Sequence, residues 1–316
     1  MDLRSYTRQF AHKDNRLASL SYFGTFAVYF TSLYLAIVYA SNGLILVAAG
    51  MVHAFSAVRL YVLQHDCGHH SLFETRSQNE LAGHVLSPFT FAPFEVMKQN
   101  HNLHHAGVGN LEQRETGEIH TMTLREWKQA GFGTRLFYRL YRSPWILIPV
   151  GSMFTYFIRY RWPKNTVRFG VAGVLLHNVS ILVFLGCLYA LAGTAGVLIW
   201  LLFSFVGGMI GVFLVYLQHN FEDTYWDRRP DLDPQKAAIQ GASCLDFGWF
   251  FDLAVANITL HDIHHFNARI PSYRLRTCHH SMPEDMAPRR IGFIEAVQAL
   301  KLKLWDEDRQ RLVPFP

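Results

Sequence analysis

Long apolar runs alternate with long polar ones along the chain, and the apolar runs come in pairs. The first two cover about 22–41 and 44–63 and are parted by the tight break Ser41-Asn42-Gly43. Each holds about 20 residues, enough for a helix that crosses a hydrocarbon layer ~30 Å thick. Between Ser21 and Gln64 the only formal charge is Arg59, near the end of its run, where it can snorkel to the interface. The second pair, about 170–192 and 196–217, turns at Ala192-Gly193-Thr194-Ala195-Gly196 and contains no Lys, Arg, Asp or Glu. This pattern predicts an all-α integral membrane protein in which four transmembrane helices form two hairpins. The polar remainder, about 64–169 and 218–316, is expected to make a helical cap within the same single domain.

Two further apolar stretches, 81–97 and 144–160, are short and carry prolines (Pro88, Pro93 and Pro149). They are expected as interfacial helices rather than spans. Residues 1–20 are mixed in charge and lack the pattern of a signal peptide. From Arg289 onward, Ile291, Phe293, Ile294, Val297, Leu300 and Leu304 fall at helical spacing, which predicts an amphipathic helix ending before Pro314.

Composition supports the membrane reading: 50% of residues are hydrophobic, 15% aromatic and only 17% charged. Nearly every Lys and Arg lies outside the four runs, so the positive-inside rule places both termini and the middle segment in the cytoplasm. The net charge of +5 suits a face lying on anionic lipid, and nothing in the chain suggests a nucleic-acid binder. Four widely separated cysteines without a Cys-x-x-Cys motif suggest no disulfide framework or zinc ribbon.

Histidine is the chemistry-bearing residue. The strings His261-Asp262-Ile263-His264-His265 and His101-Asn102-Leu103-His104-His105 repeat one pattern, and His65 and His69 stand one helical turn apart. With 17 His in 316 residues, a given His-x-x-His-His string should arise about 0.05 times per chain by chance. The two return runs end alike, Leu63-Gln64-His65 and Leu217-Gln218-His219, which adds His219. All nine (His65, His69, His101, His104, His105, His219, His261, His264 and His265) fall on the same predicted side of the membrane. They are too many for one tetrahedral ion and suit two metals, for which imidazole leaves Zn, Cu, Fe and Ni open. A metal-bound His usually gives its second N–H to an oxygen acceptor. Asp66, Asp262, Glu222 and Asp223 are near enough in sequence to serve, and Asn257 and His70 are weaker candidates for the same surrounding layer. Cys67, between His65 and His69, points off their helical face and is expected to pack.

The string Gln64-His65-Asp66-Cys67-Gly68-His69 resembles the first histidine box of the membrane fatty acid desaturases. The His101 and His261 strings are similar to the second and third boxes. Residues 218–226, together with Asn257-Ile258 and Arg269-Ile270-Pro271, resemble segments of the omega-6 (delta-12) type. The resemblance implies a cytosolic di-iron site (Fe2+/Fe3+) that uses O2 and two electrons to remove two hydrogens from a fatty acyl chain. Hydroxylases and acetylenases share the scaffold. His70 departs from the family, which does not require histidine there. The chain contains neither a His-Pro-Gly-Gly nor a paired Cys-x-x-Cys motif, so a separate electron donor such as ferredoxin or cytochrome b5 is expected. The acyl group is expected on lipid, CoA or a carrier protein. Phe89, Phe91, Phe94, Trp249, Phe250 and Phe251 are candidate lining for its tunnel. A histidine-rich metal transporter is the alternative from another class, but it would need ligands near the bilayer midplane.

Overall fold

Among the described residues, three helices are long and apolar enough to cross a membrane and organise the chain: Asn15–Val38, Gly43–Gly68 and Val171–His219. The computed structural model describes residues 2–114, 119–161, 170–284 and 288–316; the end of the predicted middle cap segment, 162–169, lies outside them. Local chemistry sets where the first two helices start. Asp14 accepts from the backbone N–H of Arg16 and Leu17, and Asn42 accepts from that of Ile45, in each case satisfying orphan donors of a first turn. The helices begin and end differently from the apolar runs. The first starts seven residues before its run, and the second continues to Gly68, carrying His65 on its last turn.

The third long helix is not straight. Gly193 has φ 62° and ψ −164°, a conformation open essentially to glycine alone. Sixteen residues of straight helix would separate Phe184 from Trp200 by ~24 Å, yet their ring centroids lie 5.0 Å apart. The chain therefore folds back at Gly193 into two antiparallel arms.

Packing between the long helices relies on small residues and on paired polar groups. A Cβ at Gly207 would lie 2.9 Å from the Ala54 carbonyl oxygen, and the Phe203 ring fills the notch over Gly50. His53 Nδ1 lies 3.1 Å from the Tyr29 carbonyl, and Trp200 Nε1 donates to the Tyr29 hydroxyl at 2.6 Å. Arg59 is half-buried near the end of its helix. It donates to Thr25 Oγ1 (2.9 Å), Ser21 Oγ (3.2 Å) and the Leu253 carbonyl, tying two long helices to the cap.

The two proline-broken stretches form short helices, as their length predicts. Arg76–Thr90 opens on a Thr75–Gln78 capping box and ends at Phe91, and Phe94–Gly107 follows. Pro144–Met153 runs into a π-helical turn, Phe154–Ile158, and a 3-10 turn, Arg159–Arg161.

The all-α expectation needs correction in the cap. Met122–Thr123 pairs in parallel with Leu304–Asp306, which pairs antiparallel with Arg311–Val313. Cys244–Asp246 pairs in parallel with Arg290–Gly292. The predicted tail helix shrinks to Phe293–Ala299. Ile291 and Leu304, which fit its stripe by spacing, are instead buried strand residues opposite Leu245 and Met122. Partner strands remote in sequence satisfied these backbone groups, and a local period cannot register such partners.

Candidate metal centre

Four helices deliver the nine histidines. His65 sits on the last turn of the second long helix and His69 caps it, while His219 ends the third. His101, His104 and His105 close the helix Phe94–Gly107, and His261, His264 and His265 lie on His261–Phe266. Each end is anchored by a buried glutamine. Gln64 donates to the carbonyls of Gly83 and Ala92, and Gln218 to that of Ile258 at 2.7 Å.

The histidines sort into two groups, each able to hold a metal ion, with ligand atoms within 4.8 Å of one another. One contains His65, His69, His101, His105 and His264; the other contains His104, His219, His261 and His265. The two His-x-x-His-His strings thus split in reciprocal fashion. Residues i and i+4 lie ~40° apart around a helix, whereas i+3 and i+4 differ by ~100°. The i,i+4 pair His101/His105 therefore joins the first group and His104 turns to the second. The pair His261/His265 joins the second group and His264 turns to the first. Nε2–Nε2 separations are 2.8 Å for His101–His105, 3.1 Å for His105–His264, His104–His265 and His261–His265, and 3.2 Å for His219–His261. The His105 and His265 rings stack at 4.2 Å and join the groups.

Burial and mutual repulsion hold His69, His101, His105, His261, His264 and His265 well below the usual imidazole range. They are neutral at physiological pH and offer lone pairs, as metal binding requires. Buried nitrogens without a hydrogen-bond partner include Nε2 of His65 and His69. Unpaired buried polar atoms are costly and rare. A dense set of neutral imidazoles with orphaned nitrogens fits metal ions well, and these clusters are consistent with a di-metal site.

The surrounding layer differs from the sequence expectation. His219 Nδ1 faces the Gly241 carbonyl at 2.8 Å. That acceptor fixes the tautomer and leaves Nε2 for the site, yet no sequence signal marks it, because every residue carries a carbonyl. Asp66 Oδ1 lies 3.5 Å from His65 Nδ1 while its Oδ2 accepts from the Ser272 N–H at 2.7 Å. Asp262 turns one oxygen onto the Ile263 N–H, and burial pushes its carboxyl up to about 7. Asn257, at φ 59°, precedes the His261 helix rather than lying on it and donates to the Ser272 carbonyl. His70 contacts Glu80 at 2.7 Å, and the exposed Glu222 and Asp223 pair with Arg311 and Arg289. The loop after His219 turns the two carboxylates to surface arginines, and His70 turns to Glu80. Cys67 is fully buried in the apolar core, as expected.

A cavity of about 240 Å³ opens onto His65, His101, His104, His219 and His261, and its other walls include Val58, Tyr61, Leu147, Phe154, Tyr156 and Leu214. A separate polar cleft reaches His69 between His70, Arg76, Lys98 and Arg269. Of the aromatic residues expected along a tunnel, Phe89 and Phe91 line a second cavity. Phe94 is buried over Gly83, Phe251 packs on Phe55, and Trp249 and Phe250 are exposed.

The family model described as fatty acid desaturase matches residues 13–296. The chain is 30% identical over 310 residues to a fatty acid desaturase of Bacillus subtilis, covering 97% of this chain and 88% of that protein. It is 25% identical to an sn-1 oleoyl-lipid 12-desaturase of Synechocystis, over 72% of this chain and 65% of the relative. An sn-1 acyl-lipid omega-3 desaturase (ferredoxin) of the same organism is 27% identical, over 69% and 61% respectively. With its membrane helices and paired histidine clusters, the chain belongs to the fatty acid desaturase family, a family of oxidoreductases of lipid metabolism.

Proposed function

We propose that this protein is an O2-dependent acyl-lipid desaturase of the omega-6/delta-12 type whose two histidine groups hold two iron ions. The observation that carries this reading is the cavity that opens onto five of the nine histidines between walls that include Val58, Leu147, Phe154 and Leu214. The iron pair would supply, with O2 and two electrons, the oxidising power that unactivated methylenes demand and that no side-chain acid or base matches. The chain's own residues do the rest. His65, His69, His101, His105 and His264 would ligate one ion, and His104, His219, His261 and His265 the other. Val58, Leu147, Phe154 and Leu214 hold an acyl chain against this face and keep water from it.

The long helices, with the third folded at Gly193, act as four spans in two hairpins. The cap and both termini then lie in the cytoplasm, a placement that the distribution of Lys and Arg supports. A soluble electron carrier of the ferredoxin class would approach through the polar cleft at His69, which Arg76, Lys98 and Arg269 line. The delta-12 assignment is supported by the resemblance of residues 218–226 and by the named relatives of that type. A transporter is disfavoured, since the histidine groups sit at the ends of the long helices rather than at their middles.

The test is metal content combined with product analysis. The purified protein should carry close to two irons per chain, and cells supplying a donor should gain a double bond at the delta-12 position. His105→Ala and His261→Ala, one from each group, should each lose iron and abolish the product while remaining folded. A hydroxyl or triple bond in place of the double bond would change the reaction and keep the site. One zinc per chain, or an unaltered lipid profile, would overturn the proposal.

A further inference from the structure

The cavity on the histidines does not end at a blank wall. A second cavity of about 40 Å³ adjoins it, and the two share Val58, Tyr61, Tyr156 and Gly211. Tyr61 precedes His65 by one turn of the second long helix, ~6 Å of rise, and Gly208 precedes His219 by eleven residues, ~16 Å. The second cavity thus continues away from the histidines, between the long helices. Its surroundings are apolar apart from a few hydroxyls, whereas Asn100, Arg159 and Gln218 line the first cavity. The methyl end of an acyl chain belongs on the apolar side, and the polar carrier group on the other.

Two rings stand between the cavities. Tyr61 and Tyr156 meet edge to face at 5.7 Å, and the Tyr61 hydroxyl bonds to that of Tyr160 at 3.0 Å. Tyr156 lies at the middle of the π-helical turn Phe154–Ile158, a widening that recurs at functional sites. It rests on a helix face stripped of side chains. A Cβ at Gly208 would lie 3.4 Å from its ring, and one at Gly211 would lie 3.0 Å from its hydroxyl. The far wall is held in place by packing, since Phe91 sits at φ 56° with its ring between Phe157 (4.9 Å) and Trp200 (5.0 Å). Backbone strain of this kind persists only where the surroundings over-determine it.

We propose that Tyr156, braced by Tyr61, closes the acyl cavity and sets how much chain can extend beyond the histidine site. It is a specificity-determining residue for acyl length. Removing its ring joins the two cavities and admits longer chains. The proposal rests on the desaturase reading for its substrate, and the test separates the two.

Acyl chains of sixteen, eighteen and twenty carbons compete for the metal-free, full-length protein in a fluorescent fatty-acid displacement assay. The same mixture is then supplied to cells expressing the enzyme. Tyr156→Ala should shift the long-to-short ratio by about tenfold, the lower end of what a pocket that senses single methylenes provides, in both binding and product. Tyr156→Phe, which keeps the ring, should retain the wild-type ratio. If Tyr156→Ala fails to fold by thermal unfolding, Tyr156→Leu answers the same question. A folded small-side-chain variant with an unchanged ratio overturns the proposal, and so does a Phe variant that shifts it equally. If the wild type makes no product, the desaturase reading fails while the binding ratio still decides the role of Tyr156.

Discussion

At the residue scale, the main result is the division of labour inside each histidine string. Spacing alone shows that i, i+3 and i+4 share a broad face, and on that basis eight of the histidines are legible in the sequence, while His219 is legible from the shared ending of the two return runs. Spacing does not show that the i+3 member crosses to the other group, because that depends on a second helix approaching from the opposite side. The Gly241 carbonyl on His219 was equally invisible. A histidine outside the site gives a prediction of its own. His279 is buried beside Cys244 Sγ (3.1 Å), and burial, reinforced by the charge of Arg290, holds its imidazole down at about 4. An unfolded histidine titrates near ~6.5. Between these values the unfolded chain binds more protons, so stability falls as pH drops from 6.5 towards 4, by at most ~1.4 kcal/mol per pH unit. His279→Asn should therefore lose less stability than the wild type on going from pH 7 to pH 5, by up to about 2 kcal/mol. Thermal unfolding of the two metal-free proteins across that range checks it; equal slopes would remove His279 from the acid response.

At the element scale, the apolar runs predicted the long helices well, because a membrane span is a local property of about twenty residues. Short elements were less legible. Ile291 and Leu304 satisfy a helical stripe but form strands, since their partners, Leu245 and Met122, are far away in sequence. Glycines mark where elements must touch. Gly207→Ala should drive a Cβ to 2.9 Å from the Ala54 carbonyl and part the second and third long helices, at a cost of roughly 1–3 kcal/mol. Gly24 has open space where its Cβ would point. Gly24→Ala should be neutral or stabilising by up to about 1 kcal/mol. Unfolding temperatures in one detergent compare the pair directly, and an equal effect of both substitutions would rule out close packing at Gly207 as the cause.

At the scale of the whole molecule, the fold brings the ends of two long helices and two short ones to one place. The proposed topology predicts that reporter fusions at both termini are active only as cytoplasmic reporters, while an insertion at Gly193 reports from the opposite side. A cytoplasmic Gly193 would dismantle the two-hairpin arrangement. The sequence by itself determined the membrane class, the helical runs and the identity of the clustered histidines, because hydropathy and one-turn spacing are encoded within a few consecutive residues. Only the tertiary structure decided which histidine joins which group, which carboxylates stay away, and that Tyr61 and Tyr156 meet across a cavity. Those outcomes depend on how helices distant in the chain approach one another, and no local pattern carries that information.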